Sequence, residues 1–431
     1  MPEKGILSGV KVFWVFPLLI SFFNGESCLT GWGFSSYCKQ FFIDIQSWVM
    51  RATKAVIHLE NLRHNILEIK KIVSPGVRLC VPVKADGYGH GAGKVAVAAI
   101  RAGASFLAVA SIQEGIDLRN AGIVAPILSL SLPTPEEIPG IIANSITPLV
   151  FDSEFISDLG IAAKKMNRVI PVHLKIDTGM GRIGCFPEES VKIAKLVSNE
   201  SHLFLEGVCT HLAVSDSLDK DDIEFTRLQI KRFEDSVKNI REAGINPGIV
   251  HCSASGGVLQ YPEAHFDMVR PGILIYGYSP SKELNAKINL KPVMELVTKV
   301  VSIRKVPAGT SISYGRKWIA GEDTFIGTLP VGYADGLLRK LSPGLCVLIK
   351  GKKYPVVGRI CMDQCMINLG NSGEVQRWDD AVIFGPDPMG NSAENLAELL
   401  DTIPYEVTCG INKRVPRIYT GTEDLNPPDY V

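Results

Sequence analysis

The chain has 431 residues, with 45 basic side chains against 45 acidic ones and a hydrophobic content of 46%. That length allows two domains, the apolar content suits an enzyme with a large core, and a balanced charge without a basic stripe argues against nucleic acid as a partner. The ten cysteines form no C-x-x-C or His/Cys cluster, so no metal site is expected, and Cys80, Cys209 and Cys252 sit in apolar runs as reduced cytoplasmic thiols do.

Residues 1–49 differ in character from the rest of the chain. Lys4 and Lys11 precede an apolar run, 12–23, that is too short to span a bilayer and has no A-x-A cleavage signal behind it. This extension reads as an upstream start, with Met50 the true beginning, or else as a signal-like export segment.

From Met50 the pattern is regular. A short strand is predicted at 55–59 and a helix at 61–72, with Leu62, Ile66 and Ile69 on one face. Eight apolar β-prone runs come next, at 79–83, 106–110, 126–130, 146–151, 170–176, 205–210, 249–253 and 268–276. Helical stretches separate them, among them 94–102, 112–121, 153–165, 189–197 and 221–243. Near-continuous apolar runs are what parallel strands covered on both faces require, and eight β-α units close into a TIM-type (β/α)8 barrel, here over residues 50–289. Beyond it, residues 290–431 read as a mostly β C-terminal domain, with runs at 293–303, 324–330, 346–349, 354–360, 365–368 and 380–383 and one helix at 392–400. The fold class is therefore α/β, a barrel followed by a β domain.

The stretch VPVKADGYGHG (81–91) places Lys84 where a buried strand gives way to a loop that opens a helix. In a (β/α)8 barrel that is the catalytic rim. Burial lowers a lysine's pKa, and a neutral amine is what a Schiff base with an aldehyde cofactor needs. Other polar residues share the strand-end position: Ser111, Lys175 and Asp177 with Arg182 in the turn beyond, His211 and Ser255; Arg270 is placed within the eighth run, followed by Gly272. Each alone would be an ordinary core or surface residue. Together they line one face with amines, guanidiniums and hydroxyls, which suits an anionic small molecule. The glycines of Ser255-Gly256-Gly257 and Gly272 would let backbone N–H groups approach a phosphate.

The chain from about Met50 to Tyr419 resembles the pyridoxal-phosphate-dependent alanine racemases of the barrel-plus-β-domain type. The stretches that carry the resemblance are VPVKADGYGHG, HLKIDTGMGRIG, GVCTHLA, MVRPGILIYG, SISYGRKW, LPVGYADG, VVGRICMDQ and INKRVPRIY, in that order. The resemblance implies interconversion of L-alanine and D-alanine for peptidoglycan synthesis, pyridoxal 5'-phosphate as cofactor, a cytoplasmic homodimer with shared active sites, and no membrane partner for the mature domain. It implies that Lys84 is the Schiff-base lysine and the base on one face, and that Tyr314, from the partner subunit, is the base on the other. Tyr88, Ser255, Gly272 and Ile273 match the phosphate-holding positions. Arg270 matches the arginine facing the pyridine nitrogen, and His211 its neighbour. Arg182 matches the arginine that positions the phenol and the substrate carboxylate, and Lys175 a lysine often carbamylated. Met362 and Asp363 match the substrate-side loop of the partner, and Tyr333 a tyrosine at the substrate entrance. One departure is expected: Lys413 stands where many members are expected to carry a tyrosine that contacts the phosphate and braces the catalytic tyrosine.

Inverting a stereocentre without turning the substrate needs a base on each face, and an amine and a phenol serve if their pKa values are drawn toward neutrality. A broad-specificity racemase is the nearest alternative. Arg270 argues against a barrel-type decarboxylase, which pairs the ring nitrogen with a carboxylate, and Tyr314 on its β domain argues against a non-catalytic cofactor carrier.

Overall fold

The computed structural model describes residues 51–422, so the expectations for residues 1–49 lie outside the described residues. Strand β1 (Lys54–His58) opens the described chain, and the helix Leu59–Ile72 follows it directly. The barrel is built from β2 (Arg78–Pro82), β3 (Phe106–Val109), β4 (Ile127–Ser129), β5 (Ile146–Thr147), β6 (Leu149–Val150), β7 (Ile170–Lys175), β8 (Leu203–Cys209), β9 (Ile249–His251) and β10 (Met268–Val269). All neighbouring pairs are parallel, in two arcs, β10-β2-β3-β4-β5 and β6-β7-β8-β9.

The predicted run 146–151 is one stave divided at Pro148 into β5 and β6, because proline offers no N–H to the ladder. The ring closes where the Asp267 N–H donates to Val250 O (3.0 Å) and the Arg270 N–H to Ser253 O (2.8 Å). The eighth run is shorter than the predicted 268–276. Pro271 ends the ladder, Arg270 stands just past β10 instead of within a strand, and Ile273–Tyr276 forms a 3-10 turn.

The C-terminal half contributes β11 (Met294–Lys299), β12 (Ser302–Val306), the small pair β13 (Ser311–Ile312) and β14 (Trp318–Ile319), then β15 (Thr324–Leu329), β16 (Cys346–Ile349), β17 (Lys352–Val357), β18 (Cys365–Gly370), β19 (Asp380–Phe384) and β20 (Arg417–Thr420). Nine strands make one sheet in the order β12-β15-β18-β17-β16-β19-β11-β1-β20. Strand β1 therefore lies in this sheet and not in the barrel, antiparallel to β11 (Ala55↔Leu296) and parallel to β20 (Val56↔Ile418). Its alternating burial, with Ala55 and Ile57 inward, is that of a strand covered on one face. The helix predicted at 392–400 is found as Ala393–Leu400, and a second, Pro404–Cys409, was not predicted; at six residues it is too short to show a helical period. No helix among the described residues is long and apolar enough to cross a membrane.

Residues 408–419 clamp the barrel loop that begins at Lys84. Arg417 Nε donates to Gly89 O (2.9 Å). A Cβ on Gly89 would lie 2.2 Å from Thr408 O, and one on Gly91 would lie 1.9 Å from the Tyr419 phenol oxygen. The YGHG glycines are thus required by the contact between the two halves.

Candidate active site

Strand β2 delivers Lys84 to the C-terminal face of the barrel, and the backbone then turns left-handed for four residues, with φ of 51°, 53°, 63° and 54° at Ala85, Asp86, Gly87 and Tyr88. For the three non-glycine residues this conformation costs roughly 1–2 kcal/mol each. Side chains hold it in place. Glu114 Oε1 accepts from the Ala85 N–H (2.7 Å) and Asp86 Oδ1 from the Ala92 N–H (2.8 Å). His90 Nδ1 donates to Gly87 O (3.0 Å) and Tyr88 O (2.9 Å). Burial pushes His90 down to about 4, so its neutral ring is a structural pin of this loop.

The loop borders a cavity of about 370 Å³. Eight of the predicted residues line it: Lys84, Tyr88, Lys175, Arg182, His211, Ser255, Arg270 and Gly272. Ile273 is fully buried immediately behind Gly272. Burial, and then the Arg182 guanidinium, lower the pKa of Lys84. Burial pushes Lys175 down to about 8, and its Nζ has no hydrogen-bond partner. Asp177 does not pair with it. Although partial burial opposes this, the N–H groups of Gly179 (2.9 Å), Gly181 (3.1 Å) and Arg182 (3.1 Å) hold the Asp177 carboxyl below its usual range, and they shape the turn that carries Arg182.

Arg270 is locked from several sides. Its Nη2 donates to Thr210 O (2.9 Å) and Cys252 O (2.9 Å) and lies 3.4 Å from His211 Nδ1, while Nη1 donates to His251 Nδ1. Burial, and then the Arg270 charge, keep His211 well below the usual histidine range, hence neutral. The Ser255 hydroxyl is buried and has no well-formed partner. A Cβ on Gly272 would lie 2.7 Å from the Tyr88 phenol oxygen, so glycine is needed there. The other two glycines have a different reason: Cβ atoms on Gly256 and Gly257 would meet the Ser215–Asp216 backbone and Ser253. Ser111 is a helix cap, its hydroxyl accepting from the Glu114 N–H at 3.2 Å, and it stands outside the cavity.

The remaining predicted residues gather elsewhere on the same chain. Tyr314 (70% exposed) and Tyr333 (40% exposed) border a second, shallower hollow on the β domain with Cys361. Met362 and Asp363 are exposed beside it. Tyr314 is presented by a turn in which Ser313 and Arg316 take φ of 69° and 50°, held by the Ser313 hydroxyl donating to Arg359 O (2.6 Å). Asp363 accepts from Arg414 Nη2 (2.7 Å), whose Nε donates to the buried Asp335 (2.6 Å). Within one chain, Lys84 and Tyr314 are not brought together.

Lys413 stands apart from both hollows. It is exposed and borders a groove with Asp86, Glu114 and Arg417. A second tyrosine lines the main cavity beside Tyr88: Tyr405, which the sequence reading missed. Its ring lies 5.8 Å from that of Tyr88, and its phenol neighbours Ser255. The signal available was the tyrosine of IPYEV, eight residues before Lys413.

A family model described as "Alanine racemase, N-terminal domain" matches residues 57–280, and one described as "Alanine racemase, C-terminal domain" matches residues 293–419. The chain is 62% identical over 374 residues to the alanine racemase of Treponema denticola, covering 86% of this chain and 98% of that one. It is 48% identical over 377 residues to the alanine racemase of Treponema pallidum, covering 86% and 100%. Among solved structures, the alanine racemase of Clostridium difficile 630 superposes with a TM-score of 0.82 at 39% identity, covering 86% of this chain and 96% of that one. The same enzyme in complex with cycloserine gives 0.81 at 36% identity, with the same coverage.

Proposed function

This chain belongs to the alanine racemase family and is an isomerase that interconverts L- and D-alanine; we propose that it does so on pyridoxal 5'-phosphate, with Lys84 as the base on one face of the substrate and Tyr314 of a second copy as the base on the other. The product D-alanine supplies peptidoglycan synthesis.

The observation that carries this reading is the set of unmet groups in one cavity. The Lys84 amine has its pKa lowered by burial, Lys175 Nζ is buried without a partner, the buried Ser255 hydroxyl has only the Tyr405 phenol beside it, and Gly272 keeps clear the space beside the Tyr88 phenol. A phosphorylated pyridine aldehyde fits that donor set. Lys84 would hold it covalently, Tyr88, Tyr405, Ser255, Gly272 and Ile273 would hold its phosphate, and Arg270 with His211 would face its ring nitrogen. Bound there, the cofactor supplies an electron sink for the pair left behind when the α-proton departs.

The side chains divide the remaining work. Lys84 Nζ takes or returns the proton on its face, and the lowered pKa keeps part of the amine neutral and basic. Tyr314 Oη does the same on the opposite face. Arg182 binds the substrate carboxylate and positions the Tyr314 phenol. Carbamylation of Lys175 would turn an unpartnered buried amine into an anion able to hold Arg182. The permanent charge of Arg270 disfavours protonation of the ring nitrogen, which weakens the electron sink and restrains side reactions.

Exposure of Tyr314, Tyr333 and Met362 supports a homodimer in which the β domain of one copy completes the barrel mouth of the other. Tyr333 would then stand at the substrate entrance, with Met362 and Asp363 on its far wall. The family-model boundaries support a domain division near residue 290. All eight cysteines among the described residues carry free thiols, which fits a cytoplasmic enzyme. Borohydride reduction of the purified protein followed by peptide mapping should place the pyridoxyl label on Lys84; a label on another lysine would refute the assignment.

A further inference from the structure

Beneath the cavity floor, the barrel interior holds two fully buried imidazoles, His173 on β7 and His251 on β9. They contact each other through His173 Nδ1 and His251 Nε2 at 2.8 Å. At one end His251 Nδ1 meets Arg270 Nη1, and at the other His173 Nε2 meets Glu206 Oε2 at 3.2 Å.

Every proton in this series is fixed by the one before it. A guanidinium has donors and no acceptor, so His251 Nδ1 must be bare. The proton of His251 is then on Nε2 and donates to His173 Nδ1, which must also be bare. The proton of His173 is on Nε2 and donates to the Glu206 carboxylate. Burial holds both rings below the usual histidine range, with Glu206 opposing this at His173 and the Arg270 charge adding to it at His251, which agrees with two neutral imidazoles.

Two features of the backbone make this possible. Between β7 and β8 the register slips, with Val172 opposite Leu205 but His173 opposite Gly207. The extra residue is Glu206. A bulge of this kind re-aims a side chain, and bulges in parallel ladders are rare. The residue beside it is Gly207, where a Cβ would lie 2.7 Å from His173 Cε1 and 2.8 Å from its Nδ1.

We propose that Glu206, His173 and His251 form a one-way hydrogen-bond relay that positions Arg270 and delivers its counter-charge through two neutral rings. The three are positioning residues; none lines the cavity. The relay keeps a carboxylate away from the ring nitrogen that Arg270 faces, while still fixing the orientation of the guanidinium and compensating its charge. This inference rests on the role proposed for Arg270 at the ring nitrogen.

Neutron diffraction from crystals of the deuterated holoenzyme reads the protons directly. Deuterium on Nε2 of both histidines, with both Nδ1 atoms bare, is the expected result; deuterium on Nδ1 of either ring, or on both nitrogens of one, overturns the relay. Function is read with Glu206→Leu and Glu206→Gln. Leucine removes the acceptor and should lower kcat about 10-fold at unchanged KM while raising half-transamination per turnover, the scale seen when a partner that orients a ligating group is lost. Glutamine keeps an acceptor for His173 but no charge, and should restore both only part of the way from leucine toward wild type. If Glu206→Leu folds and matches wild type in kcat and in half-transamination, the relay has no functional role; if it fails to fold, the deuterium positions still decide. Arg270→Gln with unchanged racemisation and no rise in half-transamination would refute the role assigned to Arg270, and leave the proton arrangement standing.

Discussion

Lys84 and Tyr314 border different hollows of the same chain: one lines the barrel-mouth cavity, and the other stands 70% exposed on the β domain. Two bases that act on opposite faces of one small substrate must meet, so the separation within a chain becomes the argument for a shared site. Replacing the phenol with Tyr314→Phe should slow racemisation by roughly 10²–10⁴-fold, the usual scale for a positioned acid or base. Steady-state assays in both directions check this, and near-normal turnover would remove Tyr314 from the mechanism.

The buried Lys175 amine is predicted to react with carbon dioxide. With its pKa at about 8, roughly one amine in ten is neutral at pH 7, and the fraction rises with pH. Protein equilibrated with ¹³C-bicarbonate should show a carbamate resonance that grows as pH increases and disappears in Lys175→Ala. A spectrum identical in wild type and variant would contradict it.

The same shift has a consequence for stability. The folded value lies below the unfolded one of about 10.4, so between the two the unfolded chain binds more protons and stability rises with pH. In bicarbonate-free buffer, the thermal midpoint of wild type relative to Lys175→Met should therefore climb through that window. A flat difference would mean that the amine is not held in a low-dielectric site.

Tyr405 and Lys413 give opposite expectations. Tyr405 lines the cavity beside Tyr88 and Ser255, while Lys413 is exposed on another groove. Tyr405→Phe should weaken retention of pyridoxal phosphate on dialysis by the value of one hydrogen bond to a charged group, about 1.5–3 kcal/mol. Lys413→Tyr should leave cofactor retention and the serine-to-alanine ratio of kcat/KM unchanged. A changed ratio would restore Lys413 to the pocket.

Much of this was legible in the sequence because it is local. Eight apolar runs marked the eight staves of the barrel, strand-end position picked out Lys84, Lys175, His211 and Ser255, and the eighth run carried Arg270, all without any partner being known. What stayed hidden depends on residues far apart. The pairing of β1 with β11 and β20 joins residues 55, 296 and 417, which no local pattern reveals. The need for glycine at 89 and 91 comes from Thr408 and Tyr419 in the other half. His173, Glu206 and His251 sit on three strands, and only a register slip brings them into line. Tyr405 was missed because its helix of six residues carries no readable period.

The shared site is tested most directly by mixing subunits. A Lys84→Ala chain and a Tyr314→Phe chain are each expected to have little activity alone. Heterodimers formed from them would contain one doubly defective site and one intact site, built from Lys84 of one copy and Tyr314 of the other. Racemase activity should therefore return on mixing, approaching about one quarter of the wild-type value at random exchange of equal amounts. Mixtures that stay inactive although mass spectrometry shows heterodimers would contradict the shared site.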